Sequence, residues 1–227
     1  MEEAEKMLNE AFGKVGRTYG YESVTAKFSE FKDFKVKWRR SCGWAEFEVT
    51  DYIRDAPQNI KEEMAEMIFT MISRQTRKDY PQDLLAWISS SEFVRKNRPT
   101  FLARSKNLTQ TRAGEHLDLG ESYERLIEAG LVKEDKDVMI VWTKRPNVKR
   151  VGYCSILMST VSVSSVLDTP DIPSFVADYV LYHELIHMKR GFDPFGQRHD
   201  LDFRALEQLH PMHEEAEEWL KRLRLIL

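Results

Sequence analysis

Two cysteines in 227 residues, Cys42 and Cys154, leave no disulfide framework and no Cys-x-x-Cys metal clip. Glycine (10 residues) and proline (8) are sparse, which excludes a fibrous or low-complexity chain. No apolar run approaches the roughly 20 residues needed to cross a bilayer. Charge of one sign is lacking too. The formal net charge is −3, so nothing draws the whole chain to nucleic acid or to an anionic membrane. The opening stretch, MEEAEKMLNEAFGKV, is acidic and amphipathic, without the basic and apolar regions of a signal peptide. These absences lead us to expect a cytoplasmic, reduced protein with no membrane partner. One more is local: no histidine precedes His116.

The residues that are present, 42% apolar and 31% charged, suit an ordinary globular protein with ample helix. The length allows one large domain or two small ones. Residues 2–16 read as a helix, followed by strand-like pieces at VTAKFSEF, FKVKWRR and GWAEFEVTDYI, then a helix over 59–75. The order recurs as a helix at 119–131, strands in VMIVWTK, RVGYCSIL and STVSVSSVL, and a long helix at 173–190. Trp38 matches Trp142, CGW at 42–44 matches GYC at 152–154, and YIRDAP at 52–57 matches SVLDTP at 165–170. The expectation is an α+β fold with two units of one plan, 1–115 and 116–227. A helix in 81–93 would end before a polar connector at 94–118. The first unit would be a degenerate duplicate, because its counterpart of HELIH is MIFTM, which has no imidazole.

The second long helix carries HELIH. Pro170, Asp171 and Pro173 mark its entry, Lys189 and Arg190 its last turn, and Gly191 its end. His183 and His187, four residues apart, project from one face and can share an ion. Neutral imidazole binds zinc at roughly 2.0–2.1 Å. Glu184 flanks the pair in an otherwise apolar helix, where an unpaired carboxylate is costly. A metal accounts for all three residues. It lowers the pKa of a water it holds to roughly 7, and Glu184 can take that proton and pass it to a leaving amine.

Catalytic zinc sites take three protein ligands plus water, so one ligand is missing. His199, after the loop FDPFGQR, is one candidate. Glu207 is the other, on what reads as the same helix and about 12 Å further along it at ~1.5 Å per residue, so both cannot bind one ion. Cys154, His210 and His213 are weaker candidates. Tyr153 and Tyr182 are candidate oxyanion donors.

The run VLDTPDIPSFVADYVLYHELIHM, followed by RHDLDFRALEQLHPMHEEAEEWLKRL, resembles the SprT-like and YgjP-like zinc metallopeptidases of the zincin group. The resemblance covers about residues 117–227. It implies a zincin-like unit of helix, small sheet, HExxH helix and C-terminal helices. It further implies His183, His187 and His199 as ligands of Zn2+, Glu184 as general base, and a peptide or protein substrate. Small gluzincins are similar as well and favour Glu207. The gap of eleven residues between His187 and His199 is long for the family, and the Cys-rich ribbon of its DNA-linked members is absent. Two other readings stay open. One is a zinc hydrolase on a non-protein substrate, either deformylase-like with Cys154 as ligand or like the YbeY ribonucleases. The other is a non-catalytic zinc-binding regulator.

Basic stretches at 34–40 and 143–150, interleaved with Trp38 and Trp142, could suit nucleic acid. Alternating charged and apolar residues on half-solvated strands explain them as well, and nucleic acid is not expected as a partner.

Overall fold

The structure, a computed structural model, describes residues 2–73, 81–192 and 199–226. Its residues group into two units, Met1–Arg104 and Ser105–Leu227, and both helices and strands are present in each.

In the first unit, Leu8, Ala11, Phe12 and Val15 recur at three- and four-residue spacing and form the buried stripe of α1 (Glu2–Thr18). Strands β1 (Ser23–Ser29), β2 (Val36–Arg40) and β3 (Trp44–Thr50) follow, in sheet order β1-β3-β2. β1 runs parallel to β3 and β2 antiparallel to it. A 3-10 turn at Asp51–Ile53 leads to α2 (Gln58–Ile72), which Pro57 caps. Phe12, Phe47 and Phe69, from α1, β3 and α2, meet at the centre of this core. Then come α3 (Gln82–Ile88) and α4 (Ser91–Arg104). Arg104 forks onto Asp51 at 2.7 and 2.6 Å and tethers the end of α4 to the turn after β3.

The second unit repeats this plan. Helix α5 (Leu119–Glu128) precedes β4 (Met139–Trp142), β5 (Gly152–Ser155) and β6 (Thr160–Val163), in order β4-β6-β5. β4 is parallel and β5 antiparallel to β6. A 3-10 turn at Ser165–Leu167 leads to α6 (Ser174–Arg190), capped by Pro173. Helices α7 (Leu201–Glu207) and α8 (His213–Ile226) complete it. α6 is buried nearly all round, as its apolar composition predicts. Its buried Asp178 receives both arms of Arg125 from α5 at 2.9 Å.

Several expectations need correction. Residues 94–118 are not a connector. Residues 91–104 are α4, whose Phe93, Asn97 and Phe101 supply a buried i, i+4, i+8 stripe within a polar composition. Residues 105–118 belong to the second unit, where Thr109 N donates to Trp142 O and Trp142 Nε1 to Arg112 O. The helix expected over 81–93 is two helices broken at Ser89–Ser90.

The matched motifs also shift. Trp38 lies on β2 but Trp142 on β4, and CGW lies at the β2–β3 turn but GYC on β5. The equivalent prolines are Pro57 and Pro173, since each caps the helix after its sheet. Asp171 does not cap α6. Cys42 is exposed. The side chains of Leu220 and Leu223 pack on the core with Trp219, whereas that of Ile226 and residues 74–75 lie outside the described residues. Among the described residues, no helix is long and apolar enough to cross a membrane.

Candidate metal centre

On α6, the four-residue step from His183 to His187 brings their rings to 4.9 Å between centroids. His199 immediately precedes α7, whose N-cap is Asp200. The Asp200 carboxylate accepts from Phe203 N at 2.9 Å and also takes a bidentate pair from Arg190 at 2.6 and 2.5 Å. One side chain therefore starts α7 and ties it to the end of α6, which sets His199 against the other two imidazoles. Its Nε2 lies 3.3 Å from His183 Nε2 and 3.0 Å from His187 Nε2. Phe203, fully buried, supports all three rings at 4.5 to 5.1 Å between centroids.

The nitrogen separations can be compared with what an ion requires. Ligands at about 2.0–2.1 Å in a tetrahedron stand about 3.3 Å apart. His199 Nε2 stands at about that spacing from both other nitrogens, and the three donor atoms all lie within 4.8 Å of one another. The donor set fits a divalent ion that prefers nitrogen.

Glu207 does not join this set. Its Oε1 accepts from His183 Nδ1 at 2.7 Å, on the side of the ring away from His199. The expectation that His199 and Glu207 share one helix is corrected, because Asp200 caps α7 and His199 precedes it; of the two, only His199 joins the convergent donor set. Both residues therefore reach His183, one at each ring nitrogen. Burial lowers the His183 pKa, but the hydrogen bond to Glu207 and the charges of Glu184, Glu207 and Glu217 outweigh it, so the net shift is upward. Burial of Glu207 is likewise outweighed by His183, and its carboxyl is held below the usual range.

Glu184 is buried beside β5. A methyl group on Gly152 would lie 2.8 Å from its Cγ and 2.9 Å from its Cδ, so any side chain at this strand position would have to displace Glu184. Burial pushes the Glu184 carboxyl up to about 7, against the charges of His183 and Arg150. Near neutral pH the group can both take and give a proton.

The other sequence candidates lie elsewhere. Cys154 is on β5, its thiol pushed up by burial and by the charge of Glu184, and it is not in the convergent donor set. His210 and His213 pack against Tyr179, at 5.5 Å between centroids. Tyr182 is buried with its hydroxyl on Leu206 O at 2.7 Å, so it does not face a reacting group. Tyr153 lies under the Arg150 guanidinium at 4.3 Å.

Sequence reading missed Gly152, Asp200 and Tyr179. Asp200 carries a readable signal, an N-cap residue ahead of an apolar helix. Gly152 and Tyr179 act through contacts with no sequence signature. The chain matches no protein-family model, no curated protein and no solved structure.

Proposed function

We propose that the chain is a zinc-dependent metallopeptidase in which His183, His187 and His199 hold Zn2+ and Glu184 moves the proton. The observation that carries this reading is the convergence of three imidazole nitrogens beside a buried carboxyl whose pKa is pushed to about 7. A bound divalent ion supplies Lewis acidity and lowers the pKa of coordinated water. The chain's own groups do the rest. Glu184 accepts a proton from the attacking water and delivers it to the leaving amine. Gly152 lets the β5 backbone close against that carboxyl. β5 is the edge of its sheet, next to Glu184, and an extended peptide can pair with such an edge through its main chain. That favours a peptide over a compact small-molecule substrate.

A purely structural zinc site has no use for a buried base next to its ligands. A deformylase-like site would need Cys154 as a ligand, and it lies outside the donor set. The test is Glu184→Gln, assayed on a peptide library together with metal analysis. We expect cleavage to fall by about 10²–10⁴-fold while zinc is retained. Unchanged cleavage in the variant, or none by the zinc-loaded wild type, contradicts the proposal.

A further inference from the structure

We infer that Glu207 is a positioning residue for the metal centre: it fixes His183 in the tautomer that presents Nε2 to the ion, and it places a negative charge directly behind that ring. This rests on the metal reading above and deepens it.

A neutral imidazole has one N–H and one lone pair, and a hydrogen bond at one nitrogen decides which is which. An ionised carboxylate has only acceptor atoms. With Glu207 Oε1 at 2.7 Å from Nδ1, His183 donates there and keeps its lone pair on Nε2, the nitrogen that faces His199. Three neutral imidazoles leave the charge of a divalent ion uncompensated, and Glu207 supplies part of the balance from one ring away.

The carboxylate is itself held. Tyr179, fully buried on α6, stands with its hydroxyl 3.3 Å from Glu207 Oε1 and 3.0 Å from Glu217 Oε1 on α8. One hydroxyl hydrogen serves both acids, so the second carboxylate adds charge behind His183. The last turn of α7 is fixed separately, by Tyr182 Oη donating to Leu206 O. α6, α7 and α8 thus set the position of one carboxylate. Nothing in the sequence spacing indicates this, because the spacing presents Glu207 only as a rival ligand.

The inference is tested by zinc competition titration and by 15N–1H correlation of the histidine rings, the latter on metal-free protein at a pH where imidazoles are neutral. In wild type we expect His183 as the Nδ1–H tautomer. Glu207→Ala should weaken zinc binding about 10–100-fold and shift His183 toward Nε2–H. Glu207→Gln keeps an acceptor oxygen without the charge. It should retain the tautomer and bind zinc with intermediate affinity, and it serves as the test should the alanine variant not fold.

Wild type that binds zinc beside a Glu207→Ala variant that binds it as tightly, with the same tautomer, overturns this inference alone. So does a Glu207→Gln variant with wild-type affinity and an altered tautomer. Wild type that shows the Nδ1–H tautomer but takes up no zinc overturns the metal reading, and this inference with it.

Discussion

The two units share sheet order and strand directions, and each runs from its sheet through a 3-10 turn to a helix capped by proline. Counted from those prolines, Met67, Ile68 and Met71 of α2 occupy the places of His183, Glu184 and His187 on α6. The strands differ in step. Thr50 and Ser164 each precede the 3-10 turn, so Val49 corresponds to Val163. Their partners across the sheet are Val36 in one unit and Gly152 in the other. Where the helix carries isoleucine, the strand carries valine; where it carries glutamate, the strand gives up its side chain. The topology itself therefore does not specify the chemistry. A carboxyl placed against the sheet, with a glycine to make room, is what distinguishes the second unit.

Three outcomes would break or sharpen this comparison. The largest effect is expected from Ile68→Glu, which puts a carboxylate in the first unit without the glycine or the imidazoles. Ile68 is buried, so the change should cost about 3–5 kcal/mol in chemical denaturation. A variant as stable as wild type would show that the two helices are not distinguished by their surroundings.

The next effect concerns pH in the metal-free chain. The folded Glu184 carboxyl titrates at about 7 against an ordinary 4.5. The folded state holds a proton that the unfolded state has released between those values, so this group's contribution to stability declines as pH rises through that window. The total is about 3 kcal/mol. Glu184→Gln should abolish that part of the slope when unfolding is measured across the window, and an identical slope in both proteins would contradict the burial account.

The smallest effect pairs two strand variants. Gly152→Ala should displace Glu184 and lower peptide cleavage by about 100-fold with zinc retained. Val36→Ala, at the equivalent place, should leave cleavage unchanged. Equal effects on cleavage would remove the argument from Gly152.

The sequence made the local part of this architecture legible. The strands of both sheets follow from alternation and β-branching, and the α6 histidines from a spacing of four. His199 was legible as a candidate because its partner residues lie in one short return of the chain. α4 was hidden because Arg95, Lys96, Arg98 and Arg104 mask a stripe of only three buried residues. The role of Glu207 was hidden because spacing presents it only as a rival to His199 for the ion, whereas it meets the far nitrogen of His183. Gly152 and Tyr179 could not be read at all. Their meaning lies in what α6 and α8 bring against them, across 32 residues of sequence in one case and 38 in the other.

X-ray absorption at the zinc edge of the metal-loaded protein tests the central claim most directly. The account predicts one ion per chain with three imidazole nitrogens at about 2.0–2.1 Å and a light oxygen scatterer completing the shell. A sulfur scatterer, two imidazoles only, or protein that reaches the beam without zinc after incubation in excess would contradict it.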